Sequence, residues 1–190
     1  CGVSTREMPR LRGSEFAGQS KSEVSRLWQR KSSELVLEMQ ESDLSDFKLM
    51  ILMLDAVVLS AGLVATVALG INARGEKRVL GFRVGSSESQ EVCRDLLANL
   101  NRRGLSAPEG RYLFAVLDGS KALKQALLQV YPNTLIQRCL VHKERNLQGY
   151  LSKRHWGVLA NLFKRLRKSQ GKEHAEEVAE EIEDFLSNKN

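Results

Sequence analysis

The chain has 190 residues, 42% of them hydrophobic, with a formal net charge of +6. That length supports one domain with a real core, and that hydrophobic share excludes a disordered chain. Three cysteines are too few, and odd in number, for a disulfide framework and fit a reducing cytoplasm, while the basic surplus favours an anionic partner such as nucleic acid.

Residues 1–19 are poor in apolar side chains, hold Gly2, Pro9, Gly13 and Gly18, and read as a loop or mobile end. Ser20-Lys21-Ser22-Glu23 has the pattern of a capping box, in which a serine hydroxyl and a glutamate three residues on satisfy each other's backbone N–H. Val24, Leu27, Trp28, Leu35, Val36 and Met39 then predict a helix over 21–40, with Lys21, Arg26, Arg30 and Lys31 on its polar side. It reads either as a solvated amphipathic helix or as the second helix of a helix-turn-helix.

An apolar run over 49–59 predicts the first strand. Asp55 interrupts this run, the longest in the chain, so no stretch reaches membrane-spanning length. A second strand over 63–71, a turn at Asn72-Ala73-Arg74-Gly75 and an alternating strand over 78–84 complete a meander. Ser86 and Ser87 read as the N-cap of a helix over 88–103, which turns Val92, Leu96, Leu97 and Leu100 inward and stops at Gly104. A fourth strand over 112–117 runs into Asp118. Gly119-Ser120 supplies a turn and an N-cap for a helix over 120–131, with Ala122, Leu123, Ala126, Leu127 and Val130 at helical spacing. Pro132-Asn133 turns the chain into a fifth strand over 134–141. This order predicts an α/β protein. One mixed five-stranded sheet, with helices on its faces, joins an antiparallel meander to parallel strands and makes the first and fourth strands neighbours.

Beyond His142 the composition changes. Nine Lys or Arg against one acid lie between Arg138 and Lys168, and seven acids follow between Glu173 and Asp184. Val158, Leu159, Leu162, Phe163 and Leu166, then Val178, Ala179, Ile182, Phe185 and Leu186, predict a helical extension of two or three helices.

Asp118 falls at the carboxyl end of a strand read as buried on both faces, where open α/β sheets place their ligands. It can also be a plain turn aspartate. Asp55 stands inside an apolar run, where an ionised carboxylate is costly unless it is paired or binds a metal. Neighbouring strands bring the two side by side. Their charges repel unless a divalent cation lies between them, and oxygen ligation suits Mg²⁺ or Mn²⁺. Two such ions clamp an in-line phosphoryl transfer, which normally needs a third carboxylate. Cys139 and His142 have zinc-like spacing but make half a site, so they read as a structural pair that steadies the fourth strand, which carries Asp118, the imidazole bonding backbone near Asp118. His155 and His174 stand alone, and Cys93 reads as core. The sequence around Gly81 and Gly85 is no phosphate loop, and no serine lies in a Gly-x-Ser-x-Gly elbow.

Several ordered motifs carry a resemblance. Leu54-Asp55-Ala56, Ala68-Leu69-Gly70-Ile71-Asn72, Val79-Leu80-Gly81 with Gly75 and Lys77, and Gly85-Ser86-Ser87-Glu88 resemble the bacterial Mutator-type insertion-sequence transposases. So do Leu117-Asp118-Gly119-Ser120-Lys121-Ala122-Leu123 and Gln137-Arg138-Cys139-Leu140-Val141-His142-Lys143-Glu144-Arg145-Asn146. Gly2-Val3-Ser4-Thr5-Arg6 and Ser20-Lys21-Ser22-Glu23-Val24-Ser25-Arg26 resemble pieces of that family's N-terminal DNA-binding region. The resemblance implies a ribonuclease-H-like fold with an Asp-Asp-Glu metal site, the first Asp at Asp55 and the second at Asp118, and a Cys-x-x-His element at Cys139 and His142. It implies Mg²⁺- or Mn²⁺-dependent cleavage and strand transfer at the ends of an insertion sequence. The partner is then double-stranded DNA, bound at phosphates by Arg138, Lys143, Arg145, Lys164, Arg165, Arg167 and Lys168, and the chain is a homo-oligomer in the bacterial cytoplasm at the nucleoid.

The implied organisation is a DNA-binding helical region over 1–45, a ribonuclease-H-like core over 46–150 and the start of a helical insertion over 151–190. The family's Glu follows that insertion in a Thr/Ser-Asn-x-Ile-Glu-Ser-like stretch, which has no counterpart here. Glu173, Glu176 and Glu177 read as a solvent face. A chain that opens on Cys and ends just after a helix reads as a fragment, so the alternatives are a non-catalytic DNA-binding remnant and another ribonuclease-H-like nuclease.

Overall fold

The computed structural model describes residues 20–87 and 89–188. The expectations for 1–19, including the motif at Gly2 to Arg6, and for Glu88 as the start of a helix, lie outside the described residues.

Helix α1 spans Lys21–Glu41 and opens with the capping box. Ser20 Oγ accepts the N–H of Glu23 at 3.4 Å and Glu23 Oε2 accepts the N–H of Ser20 at 2.7 Å. Hydrogen bonds from Ser20 hold the Glu23 carboxyl below the usual range. The helix does not bury its whole apolar stripe: Val24 is covered, while Trp28 and Leu35 are exposed. It is fastened at its end instead. Gln40 Nε2 donates to Phe82 O at 3.0 Å, and Arg103 grips the carbonyls of Met39 and Ser42.

Five strands follow: β1 Leu49–Ser60, β2 Leu63–Asn72, β3 Lys77–Gly85, β4 Leu113–Leu117 and β5 Thr134–Arg138. They form one sheet in the order β3-β2-β1-β4-β5. β1–β2 and β2–β3 are antiparallel, and β1–β4 and β4–β5 are parallel. The meander, the crossovers and the pairing of first with fourth strand are therefore those expected. In the β2–β3 turn Asn72 Oδ1 accepts the N–H groups of Arg74 and Glu76, and Gly75 takes φ +79°. A side chain with a Cβ rarely adopts that conformation.

Helices α2 Gln90–Arg102 and α3 Lys121–Val130 cover the sheet. Leu96, Leu97 and Leu100 of α2 and Leu123 and Leu127 of α3 share one core with Leu52, Leu54, Leu113, Ala115 and Leu117. The alternate residues behave differently: Phe114 and Leu135 are exposed. β4 is thus buried on one face rather than both, because its short apolar run matches a half-covered strand as well as a fully covered one. Cys93 lies in this core as expected. The cap of α2 is Ser89, whose Oγ accepts the N–H of Val92 at 3.2 Å, rather than Ser86 or Ser87.

Tyr131 closes the core beneath α3, its hydroxyl donating to Asn101 Oδ1. Burial pushes the phenol from 10 up to about 12. A phenol harder to ionise in the fold than in the unfolded chain stabilises the fold below pH 10, and that contribution is lost as pH rises towards about 12. Wild type should lose stability in this window by up to about 1.4 kcal/mol per pH unit more than Tyr131→Phe. Urea unfolding of both proteins across the window measures the difference, and parallel curves would contradict it.

A second, separate core lies in the C-terminal helices: α4 Leu140–Gln148, α5 Trp156–Lys168 and α6 Lys172–Ser187, with a short 3-10 turn at Lys153–His155. Leu159, Leu162, Phe163, Val178 and Ile182 are buried there, with Leu140 and Leu147 of α4 packed against them. The helical extension and its apolar face are as expected, except that Val158 is exposed. β5 stops at Arg138 instead of reaching residue 141. Leu140 joins the second core, so the chain turns helical there rather than continuing along the sheet. Among the described residues no helix is long and apolar enough to cross a membrane.

Candidate functional site

The site lies where β4 ends beside the middle of β1. Their parallel register runs from Ile51 opposite Phe114 to Leu54 opposite Leu117, so Asp55 and Asp118 are the next residues on neighbouring strands. Leu54 and Leu117 point into the helix-covered core. Side chains alternate along a strand, so Asp55, within β1, falls on the opposite face, and Asp118 follows directly on the last residue of β4. Asp55 is not buried, as its apolar context suggested. β4 ends opposite Leu54 while β1 runs on to Ser60, and the overhang leaves the Asp55 side chain 52% accessible.

Each carboxylate is steadied by its own loop or strand. Asp55 Oδ1 accepts the N–H of Ala56 at 3.0 Å, and Asp118 Oδ1 accepts that of Ser120 at 2.7 Å. The second oxygen of each has no hydrogen-bond partner among the described residues. Ser120 then caps α3 through its Oγ, which accepts the N–H of Leu123. Gly119 between them has φ +107°, and a Cβ there would stand 2.5 Å from Arg138 Nε. Glycine therefore admits both a left-handed turn and the close approach of a guanidinium beside Asp118.

The β5–α4 junction completes the site. The N–H of Cys139 donates to Leu117 O at 2.6 Å, so the backbone of Cys139, and not its thiol, ties the junction to the end of β4. His142, in the first turn of α4, lies with Nε2 3.7 Å from Asp55 Oδ1. Its Nδ1 is buried without a partner among the described residues. The imidazole thus faces the first aspartate rather than backbone near Asp118. The expectation assumed an extended chain through residue 141. A helix starting at Leu140 swings the residue three positions past Cys139 over the strand ends instead.

The basic residues fall into two groups. Arg138, Lys143 and Arg145 line one cleft of about 600 Å³ together with Asn146 and Tyr150, and the Arg138 guanidinium lies against Gly119, the residue after Asp118. Lys164, Arg165 and Lys168 line a second, of about 320 Å³, between α5 and α6. There Arg165 makes a two-pronged ion pair with Glu181, both contacts at 2.5 Å; away from this cleft Arg167 pairs with Glu144 of α4 at 2.8 Å. The pairing raises the Arg165 guanidinium and lowers the Glu181 carboxyl relative to their ordinary values. Two of the seven cations singled out in the sequence are therefore engaged with acids of their own chain. Among the described residues no group of three or more His, Cys, Asp or Glu is placed to hold a metal ion.

A mixed five-stranded sheet covered by helices makes this an α/β protein consistent with a nuclease-like fold. The family pattern described as "Transposase, Mutator family" matches residues 1–190, and the chain belongs to that family. It is 32% identical over 165 residues to the transposase for insertion sequence element IS256 in transposon Tn4001 of Staphylococcus aureus, a match covering 81% of this chain and 40% of that protein. It is 31% identical over 121 residues to the IS905 transposase of Lactococcus lactis, covering 64% and 29%. It is 38% identical over 87 residues to the IS6120 transposase of Mycolicibacterium smegmatis, covering 46% and 26%. The chain matches less than half the length of each.

Proposed function

We propose that this chain supplies the DNA-handling and part of the metal-holding apparatus of a transposase, acting in strand cleavage and transfer at the ends of an insertion sequence. The observation that carries this reading is the placement of Asp55 on β1 next to the point where β4 ends and leads into Asp118, with Arg138 of the basic cleft against Gly119. Double-stranded DNA at the element's ends is the partner, met by a homo-oligomer of the protein at the bacterial nucleoid.

The donor set suits a hard divalent cation. Asp55 and Asp118 each keep one carboxylate oxygen without a hydrogen bond, and Mg²⁺ binds readily through one or two carboxylates with waters completing its shell. Mg²⁺ or Mn²⁺ held there would act as a Lewis acid on phosphoryl oxygens. The chain's own residues do the positioning. Backbone N–H groups of Ala56 and Ser120 fix the two carboxylates. Arg138, Lys143 and Arg145 neutralise the DNA backbone next to them. His142 stands at the edge of Asp55.

A second reading has its own support. With no third acid at this site among the described residues, the isolated chain would occupy DNA ends without cutting them. Both readings require DNA binding dominated by phosphate contacts. Filter binding of a labelled duplex across a salt series tests this. Tight binding at low salt with a steep linear fall of log K against log salt is expected. Absence of binding at low salt would overturn both readings.

A further inference from the structure

The cleft of Arg138, Lys143 and Arg145 ends at an aromatic ring that phosphate binding does not call for. Tyr150 is 89% exposed. Its hydroxyl has no hydrogen-bond partner among the described residues. The backbone beneath it is tightly held. Tyr150 N–H donates to Leu147 O at 3.1 Å, and Leu151 N–H to Gln148 O at 3.2 Å. Trp156 Nε1 donates to both Gln148 O and Leu151 O, at 3.0 and 3.2 Å. Leu147 and Leu151, on either side, pack against the second core. The ring is thus presented outward from a pinned turn, so little backbone freedom is lost when something stacks on it. Asn146, one helical turn before Tyr150, lines the same cleft with an amide that can both donate and accept. At the other end of the cleft the Arg138 guanidinium lies against Gly119, next to Asp118.

We propose that Tyr150 is a stacking platform for an unpaired base of a DNA strand whose phosphates lie on Arg138, Lys143 and Arg145. The proposal rests on the DNA reading above and deepens it by naming the form of DNA the cleft takes. Paired bases inside a duplex hide their faces, so an aromatic side chain beside a phosphate track engages a base only where the strand is melted or single. Aromatic stacking is tolerant of sequence, because every base has a π face. The cleft accordingly selects strand state and not sequence, and it holds the opened strand on the Asp118 side of the site.

The test titrates the 190-residue chain at low salt with a single-stranded oligonucleotide and with a blunt duplex of the same sequence, each carrying 2-aminopurine. Wild type should quench the single-strand fluorescence on binding. Tyr150→Ala should bind the single strand about tenfold more weakly, with Tyr150→Phe and all duplex affinities within about twofold of wild type. The side chain is exposed, so an unchanged thermal melt of each variant confirms that folding is not at issue. Tyr150→Ala with undiminished single-strand affinity, an equal loss on both DNA forms, or a Phe variant as weak as Ala would overturn the proposal. If wild type binds neither form, the DNA reading fails and takes this proposal with it; if it binds both and only the stacking signature is missing, this proposal alone falls.

Discussion

Replacing Arg138, Lys143 and Arg145 together by alanine is expected to lower duplex affinity about a hundredfold at low salt and to reduce the magnitude of the salt slope by about 3. The three side chains line one cleft, and Arg138 reaches Gly119 beside Asp118. Each neutralised phosphate releases close to one counterion, so three lost contacts remove about three from the slope. The paired substitution Arg165→Ala with Arg167→Ala is the control. Those guanidiniums already face Glu181 and Glu144. An exposed pair such as Arg165–Glu181 contributes little to stability, and both pairs leave less net positive field for DNA. That double variant should retain binding to within a fewfold. If it costs as much as the cleft triple, the phosphate track runs along α5 and not along the cleft.

Arg103→Lys is expected to destabilise the fold by about 3 kcal/mol, since hydrogen bonds to a charged group contribute about 1.5–3 kcal/mol each and only part of that is recovered by a lysine. Arg103 closes α2 and spends its whole fork on three elements. Nε donates to Ser42 O at 2.8 Å, Nη1 to Leu80 O at 2.8 Å and Nη2 to Met39 O at 2.7 Å, with Ser42 Oγ and Asn99 Oδ1 also in reach. Desolvation, with Arg78 and Arg83 nearby, holds its guanidinium below the ordinary value, though arginine remains charged at any working pH. A point-charge ammonium cannot reach three carbonyls held in a fork geometry. Urea unfolding measures the loss. A Lys variant as stable as wild type would show that the clamp joining α1, α2 and β3 adds nothing to stability.

The sheet is legible in the sequence because its signals are local and repeat. Apolar runs of strand length, a turn at Asn72 to Gly75 and two helical stripes leave few right-handed ways to connect five strands. That logic alone puts Asp55 and Asp118 on neighbouring strands. Burial is less legible. Asp55 looks trapped inside an apolar run, yet a strand that outlasts its neighbour exposes whatever lies past the overlap, and Val57, Val58 and Leu59 are exposed with it. The β5–α4 junction misleads because Leu140 and Val141 extend the strand's apolar character while Leu140 packs in another core. His142 consequently faces an aspartate that no sequence spacing links to it. Arg103 carries no signal, since one arginine at a helix end looks like dipole compensation. Arg165 and Arg167 look like free cations because their acids, Glu181 and Glu144, lie on other helices.

The central claim is that Asp55 and Asp118 act as one cation-holding pair. Calorimetric titration of Mn²⁺ into wild type, Asp55→Asn, Asp118→Asn and the double variant tests it most directly. In Asp118→Asn the side-chain amide oxygen can still accept the Ser120 N–H, and removing one of two like charges relieves repulsion, so each variant should fold at least as stably as wild type without metal. Loss of an outer-shell partner alone typically weakens metal binding by about 10- to 100-fold, so loss of either carboxylate should weaken Mn²⁺ binding by at least about tenfold. The account predicts one weakly bound ion in wild type, its loss in either single variant and no further loss in the double. Equal Mn²⁺ binding by all four proteins would contradict it.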